Sequence, residues 1–371
     1  MTTADVSNSA LPDGRGAAVP PARWPGRIRF LRVGPLSVKV DLLAGAVTLV
    51  LVLATTLIAL WSLGISTTDS PNLGFGEIFA ILAGQESGPG ATRVVAAAPA
   101  VIVAVLGGIS LALSGAIFQT VTRNPLGSPD IIGFTTGAYT GALIAMLVFG
   151  LGSAGTTIGA LIGCLGTGLI VYLLGMRGGT GNYRFIVVGI GISAMLVSFN
   201  GYLVATANVQ NAGSAAAWGM GNLRNLTMTD TVPVFVVLAV LLPVLAVVTP
   251  RMRMFELGAD SAQSKGVDTD STELLLLVVG VGFAAATTAV VGPIAFVALV
   301  APQLAARLTP SAGIPLITSA AVGATLLVSS DAIARTVLAP TTQLPVGVVT
   351  TALGGVYLLF LLMAQARKAR L

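Results

Sequence analysis

The chain has 371 residues, of which 55% are hydrophobic and only 9% are charged. A soluble domain carries about 25% charged residues, and a water-soluble protein as apolar as this one would expose surface that aggregates. The composition therefore predicts a polytopic membrane protein and excludes an ordinary soluble domain. The net charge of +5 comes from basic residues spread through short loops, which favours a membrane-topology signal over nucleic-acid binding.

The residue types that many enzymes and metal sites need are scarce. The chain has no histidine, and its one cysteine, Cys164, lies in an apolar stretch, so no disulfide framework is predicted. None of its lysines stands in a Gly-x-x-x-x-Gly-Lys-Ser/Thr phosphate loop, so the chain is not expected to bind ATP by that route. We therefore predict no enzyme, no catalytic residue, no metal site and no cofactor in this chain.

The chain begins with a polar segment and continues as apolar stretches. Residues 1–40 are rich in Pro, Gly and Ala with scattered arginines and have no signal-peptide core, so we predict a disordered, basic cytoplasmic tail.

Residues 41–371 are the predicted transmembrane domain. A helix needs about 20 apolar residues to cross a bilayer. Ten stretches come close to that: 41–63, 94–118, 131–151, 155–176, 185–206, 230–249, 273–291, 293–309, 314–335 and 344–366. The predicted fold class is an all-α polytopic membrane protein with about ten transmembrane helices.

The distribution of Lys and Arg predicts the topology. If the N-terminus lies inside and ten helices follow, only Arg93, Arg224 and Arg335 of the 19 basic residues fall outside. Cytoplasmic loops carry an excess of basic residues, so this arrangement is strongly favoured. Both termini are therefore expected in the cytoplasm, with the protein in the cytoplasmic (inner) membrane.

Two connections between the predicted helices are long. Segment 207–229, predicted outside, contains Trp218 in a run of small residues that suits a short interfacial helix. Segment 250–272, predicted inside, is the most charged part and reads as two short helices broken at Gly258 and Gly266. Its apolar stripe is Met254, Leu257, Ala262 and Val267. We expect this hairpin to dock a soluble partner rather than lie on the membrane surface.

Carboxylates bear on the driving force for transport. Asp130, Asp230, Glu273 and Asp331 all fall at the ends of predicted helices. Ion-driven carriers commonly place ionisable groups near the bilayer midplane, so an ion-driven secondary transporter is the less favoured alternative. A structural or sensing membrane protein is a third alternative.

The segment 115–133 is the most informative part of the sequence. Its polar Arg-Asn-Pro-Leu turn joins two apolar stretches and must lie at a membrane face or line a wet cavity. After it, Gly133, Gly137 and Gly141 recur every four residues, which predicts close helix packing.

Four blocks of the chain resemble the FecCD family, the permease subunits of type II ABC importers for iron-siderophores, haem and cobalamin. In order, they are Ser114-Gly-Ala-Ile-Phe-Gln119 with Asn124-Pro-Leu126, Pro129-Asp130 and Gly133; Leu257-Gly258 with Ala262 and Gly266-Val267; 292–302 with Arg307; and Asp331-Ala-Ile-Ala-Arg335 with 344–350. The resemblance covers residues 40 to 371.

The resemblance implies a type II ABC importer permease of ten helices. It implies a second permease subunit, either the same chain or a paralogue, two ATPase subunits that bind ATP and Mg, and an extracytoplasmic substrate-binding protein. The expected cargo is an intact ferric-siderophore complex, since a chain with no histidine and one cysteine offers little to strip iron. The alternative cargo is cobalamin or haem.

The resemblance also implies roles for single residues. Asn124, Pro125 and Leu126 match a cytoplasmic gate loop, although the same residues suit a simple helix cap. Asn182-Tyr183, before Arg184, matches a second gate segment, where the bulk of Tyr183 departs from the family pattern of small hydroxyl residues.

Further roles concern the two membrane faces. The hairpin residues matching the ATPase-coupling helices are Met254, Leu257, Gly258, Ala262 and Gly266. Arg93 and Arg335 match arginines that pair with glutamates of the binding protein. The alternatives are an interfacial anchor for Arg93 and a local pair with Asp331 for Arg335. Gln303 departs from a Pro-His-Ile block of the family, and no role follows for it from the sequence.

Overall fold

The structure is a computed structural model that describes residues 28–33, 36–66, 70–175, 182–310, 313–337 and 344–369. The chain divides into two compact units, Met1–Gly45 and Ala46–Leu371. In the first unit, strands β1 (Ile28–Val33) and β2 (Leu36–Asp41) pair antiparallel, with Ile28 opposite Asp41. These two paired segments differ from the disordered tail predicted for 1–40, since Leu36, Val38 and Val40 alternate with polar residues at the period of a strand, and the character of the tail as a whole stays a prediction. Residues 1–27 lie outside the described residues.

The remaining regular elements of the described chain are helices. They are α1 (Leu42–Gly64), α2 (Phe75–Leu82), α3 (Pro89–Thr122), α4 (Pro129–Ile132), α5 (Phe134–Leu143, extended by a π turn Ile144–Val148), α6 (Ser153–Gly175), α7 (Asn182–Thr206), α8 (Val209–Gly219), α9 (Met228–Phe255), α10 (Ala259–Ser264), α11 (Thr269–Val291), α12 (Val297–Leu308), α13 (Leu316–Thr336) and α14 (Val346–Ala369). The predicted all-helical membrane fold is confirmed.

Seven of these helices are long and apolar enough to cross a membrane: α1, α3, α6, α7, α9, α11 and α13. Three shorter apolar helices, Phe134–Val148, Val297–Leu308 and Val346–Leu361, fall on the remaining predicted spans. The number of actual crossings and the cytoplasmic placement of both termini stay predictions.

Helix α2 was not predicted from the sequence. It has only eight residues and is preceded by the capping residue Gly74, whose N–H donates to the Glu77 carboxylate at 2.7 Å. A helix this short shows too little of the 3.6-residue period to be recognised. Helix α3 also begins earlier than predicted, at Pro89, because proline is well tolerated in the first helical turn.

Helix α3 lies at the centre of the larger unit. Ser110 Oγ donates to the carbonyl of Phe283, and Ser114 Oγ to that of Gly280, both at 2.7 Å and both buried. Because the partner numbers fall as those on α3 rise, α3 and α11 run antiparallel. The end of α3 therefore lies beside the beginning of α11, and we call this the hairpin end of the molecule.

Close helix packing depends on glycine. A Cβ on Gly108 would collide with the Gly323 carbonyl of α13, and one on Gly115 with the Ala298 carbonyl of α12. Between α5 and α6, a Cβ on Gly137 would strike Thr167 and one on Gly141 the Gly159 carbonyl. The predicted packing role of the repeated glycines is thus confirmed, since only a hydrogen fits between these backbones.

Candidate functional site: the gate loop and the coupling hairpin

The gate loop, residues 123–128, is built by backbone geometry at the end of α3. Arg123 ends the helix in the left-handed conformation, with φ of 48°. The N–H of Asn124 then donates to the Gln119 carbonyl at 3.2 Å. The Asn124 side chain accepts the N–H of Leu126 at 2.9 Å, and its carbonyl accepts the N–H of Gly127 at 2.9 Å. Asn124 thus stabilises the turn at the end of α3. The capping role that the sequence left open as an alternative to gating is therefore present.

The tip of this loop remains accessible. Leu126 is 42% exposed, Pro125 is exposed, and Asn124 is partly buried. A gating side chain must be accessible, and Leu126 is exposed. The gating role of the three residues stays a prediction. The side chains of Asn182 and Tyr183, the second predicted gate segment, lie outside the described residues.

Two glutamines fasten the gate loop to its neighbours. Gln303 Nε2, on α12, donates to the Pro125 carbonyl at 2.9 Å and to Gln119 Oε1 at 3.0 Å. Gln119 Nε2, on α3, donates in turn to the Leu299 carbonyl at 3.0 Å. Sequence reasoning assigned no role to Gln303, because its partners lie about 180 residues away along the chain. The signal that could have found it is a lone amide inside an otherwise apolar helix.

The coupling hairpin, residues 250–272, differs from the two helices that the sequence indicated. The first is the last turn of α9, which ends at Phe255, and only α10 stands between the two glycines. Gly258 and Gly266 have φ of 109° and 80°, so both breaks use backbone conformations that favour glycine. Asp268 then caps α11 by accepting the N–H and hydroxyl of Ser271, and these bonds hold the pKa of Asp268 below its usual range.

The predicted apolar stripe of the hairpin does not form a single face. Leu257 is 60% exposed and Met254 is partly buried, whereas Ala262 is completely buried. Ala262 therefore holds the hairpin together from within, and a partner would meet Leu257. The turn at Gly258, with its positive φ, separates α10 from α9, so the two segments do not share one helical face.

One carboxylate joins the hairpin to the turn between α12 and α13. Glu256 Oε1 accepts the N–H of Ile314 at 3.1 Å. A Cβ on Gly313, whose φ is 84°, would collide with the same carboxylate. The turn thus fits against Glu256, and the start of α13 lies at the hairpin end.

The two predicted docking arginines lie at the opposite end. Arg93 is near the start of α3, which is about 51 Å long and ends at the gate loop. Arg335 is near the end of α13, which begins at the hairpin end. Arg93 is partly buried, and its Nη1 donates to the Pro71 carbonyl at 2.9 Å. Arg335, 14% exposed, pairs with Asp331, 6% exposed, at 2.8 Å. The local pair anticipated for Arg335 is formed, and docking through these arginines stays a prediction.

Among the described residues, no group of three or more Cys, Asp or Glu side chains is placed to hold a metal ion.

Comparison with known proteins identifies the family. The sequence matches the FecCD transport family over residues 51–364. It is 41% identical, over 86% of this chain and 96% of the relative, to the ferric enterobactin transport system permease protein FepG of Escherichia coli (strain K12). It is 34% identical to the hemin transport system permease protein HmuU of Yersinia pestis, over 72% of this chain and 81% of the relative.

A solved structure shows the same fold. A metal-chelate type ABC transporter in an inward-facing conformation matches 86% of this chain and 99% of its own, with a TM-score of 0.74 at 23% identity. The family match in sequence and the match in fold thus both extend along most of the chain, from α1 to α14. The chain belongs to the FecCD transport family.

Proposed function

We propose that this chain is the permease subunit of an ATP-driven importer that carries an intact ferric-siderophore complex into the cytoplasm. The observation that carries this proposal is the 41% identity to a ferric enterobactin permease along 96% of that protein. A further relative, 34% identical over 71% of this chain and 79% of its own length, is the probable siderophore transport system permease protein YfhA of Bacillus subtilis (strain 168). Haem is the second candidate cargo, favoured by the similarity to HmuU, and cobalamin has no specific observation in its favour.

The importer acts as an assembly. Its other parts are a second permease subunit, either a copy of this chain or a paralogue, two ATPase subunits with ATP and Mg, and an extracytoplasmic substrate-binding protein. ATP binding closes the ATPase subunits, the coupling hairpin transmits their motion, and the gate loop opens or shuts. Leu257 is exposed on a folded hairpin, so its side chain is available for contact with an ATPase subunit, which supports the proposed coupling there.

The cargo is tested by uptake. In a strain lacking this gene, we would compare radiolabelled uptake of several ferric siderophores, haem and cobalamin. The proposal expects loss of one ferric-siderophore activity that the intact gene restores. Loss of haem uptake alone transfers the assignment to haem, and unchanged uptake of all these compounds contradicts the transport proposal in that strain.

ATPase coupling is tested at Leu257. Leu257→Asp places a charge on the exposed contact without disturbing the buried Ala262. We expect uptake to fall at least about tenfold and copurification of the ATPase to weaken, since desolvating an unpaired charge at an interface costs several kcal/mol. Leu257→Met, of similar size and polarity, serves as the matched control. Full uptake by Leu257→Asp at normal membrane levels would favour the ion-driven secondary carrier.

A further inference from the structure

We infer that a cavity lined by Arg224, at the end of the permease opposite the coupling hairpin, is a binding site for anionic, oxygen-rich iron chelates. This inference rests on the proposed function and deepens it, because it names a residue that selects the cargo by its charge. Arg93 and Arg335 are candidates for docking the binding protein, whereas Arg224, the third basic residue predicted outside, has no role so far.

The cavity has a volume of about 450 Å³ and lies where four segments of the larger unit meet. These are the turn before α6, the end of α8, the loop between α8 and α9, and the last residues of α11. Because α11 begins and α9 ends at the coupling hairpin, the end of α11 and the start of α9 lie at the opposite end. Ser153 and Arg224 line the cavity and are exposed, so a ligand can reach them there.

Hydrogen bonds hold the loop that carries Arg224. The N–H of Asn222 donates to the Val291 carbonyl of α11 at 2.7 Å, and the N–H of Arg224 donates to Asn222 Oδ1 at 2.9 Å. Asn225 follows in the left-handed conformation, with φ of 59°, which asparagine adopts more readily than most residues. The backbone of Arg224 is therefore fixed to the end of α11.

The charge of Arg224 is available to a ligand. Among the described residues, its guanidinium forms no ion pair with a carboxylate. Asp230 also lines the cavity, but its Oδ2 accepts the N–H and the hydroxyl of Thr227, at 2.8 and 2.7 Å. Asp230 lies in the first turn of α9, where the helix dipole stabilises a negative charge. Its charge is thus compensated within its own helix, whereas that of Arg224 is not.

The remaining lining suits a bulky ligand with many oxygen atoms. Ser153 and Thr157 contribute hydroxyl groups and Asn222 a side-chain amide, all of which can donate hydrogen bonds. Trp218 lines another part of the cavity and is held in place by stacking on Tyr139, with the ring centroids 6.0 Å apart. The cavity therefore combines one positive charge, several donors and a fixed aromatic ring.

The chemistry of ferric chelates indicates which of them this cavity favours. A ferric tris-catecholate retains a net negative charge, because its ligand oxygens carry more charge than Fe³⁺ neutralises, whereas a ferric tris-hydroxamate is neutral. A guanidinium binds the oxygens of an anion through parallel hydrogen bonds as well as by charge. We therefore expect the cavity to bind the anionic chelate more tightly than the neutral one.

Trp218 provides a direct readout of binding. A ferric chelate absorbs light where tryptophan emits, so it quenches the fluorescence of a tryptophan that lines its site. We would place the whole transporter, without the binding protein, in nanodiscs and titrate it with a ferric tris-catecholate and with a ferric tris-hydroxamate. The variant Trp218→Phe defines the part of the quenching that comes from Trp218, since Trp24 and Trp61 remain in this chain.

Three substitutions test the charge. Arg224→Gln removes it, Arg224→Glu reverses it, and Arg224→Lys keeps it without the planar fork of donors. We expect Arg224→Gln to raise the Kd of the tris-catecholate about fivefold, as for an exposed ion pair, and Arg224→Glu to raise it further. Arg224→Lys should stay within about twofold of the native protein. All three variants should unfold at the native temperature, because the exposed guanidinium pairs with no carboxylate among the described residues.

Salt supplies a second readout, which a merely structural role of Arg224 would not change. Raising the ionic strength should weaken binding of the tris-catecholate to the native protein, because salt screens exposed charges. The same change should affect Arg224→Gln less. The tris-hydroxamate, which has no net charge, should bind the native protein and all three variants equally at either ionic strength.

The outcomes separate this inference from the proposed function. An equal Kd of the tris-catecholate in the native protein and in Arg224→Gln, or equal weakening of both chelates by Arg224→Gln, would overturn the selection by charge and leave the importer in place. Absence of any quenching that depends on Trp218 would show that the cavity is not a binding site. The proposed function is judged separately by uptake, and it fails if the strain lacking this gene takes up all the tested compounds normally.

Discussion

At the scale of single residues, the packing of helices in this protein depends on glycines, which have no side chain to separate the backbones. Gly137 and Gly141 on α5 face Gly159 and Gly163 on α6, and the backbones touch. In a bilayer the hydrophobic effect does not draw helices together, so such van der Waals contact supplies much of the attraction.

Gly163→Ala is expected to destabilise the protein by about 1–3 kcal/mol, because its Cβ would collide with the Gly137 carbonyl. Gly166→Ala, on the same helix, meets no atom within 4 Å and should be neutral or stabilising by up to about 1 kcal/mol. Thermal unfolding in detergent would compare the two. Equal unfolding temperatures would show that the α5–α6 contact does not limit stability.

The two candidate docking arginines are expected to differ in how much they stabilise the folded permease. Arg335→Ala leaves Asp331 nearly buried without its partner, so we expect a loss of about 1–3 kcal/mol of stability in the permease alone. Arg93→Ala breaks one exposed bond to Pro71 and should change stability by less than about 0.5 kcal/mol.

Both arginine variants should weaken docking of the binding protein by up to about fivefold, as measured by its affinity for the purified transporter. Arg335→Lys, which keeps the charge, is the control for stability. An unchanged unfolding temperature in Arg335→Ala would contradict a supporting role for the Asp331 pair, and unchanged affinity in both variants would contradict docking at this surface.

At the scale of elements, the sequence pattern predicts where the helices of the coupling hairpin break but not which of its side chains face outward. Its breaks at Gly258 and Gly266 follow from the sequence, because positive φ favours glycine. Which side chains face outward does not follow, since the hairpin has one short helix whose orientation is fixed by Gly258. Ala262 is consequently buried, and Leu257 is the residue to alter in a test of ATPase contact.

At the scale of the larger unit, the candidate functional residues lie at two opposite ends. The gate loop, the coupling hairpin and the start of α13 share the hairpin end, whereas Arg93 and Arg335 lie opposite. Helix α8 also lies opposite, since it precedes α9, which runs from there to the hairpin. This division agrees with the sides that the basic residues predict.

Membrane-impermeant labelling would check which end faces the cytoplasm. Ser264→Cys on α10 should react only in inside-out vesicles, and Ser214→Cys on α8 only in intact cells or right-side-out vesicles, because both positions are exposed at opposite ends. The native protein is the control, as its buried Cys164 should stay unlabelled. Labelling of Ser264→Cys from outside would reverse the predicted topology.

The sequence by itself determined the membrane class, the positions of the apolar helices and the family resemblance, because apolar length and local motifs are properties of neighbouring residues. It also indicated close packing at the repeated glycines. Only the tertiary structure decided that Gln303 holds Pro125, that Glu256 holds Ile314 and that Ala262 is buried. These contacts join residues that are distant in the chain or depend on the angle of a turn, and no local pattern encodes either. The tertiary structure also contains strands β1 and β2. Their period-two pattern lies in a segment whose overall composition favours disorder.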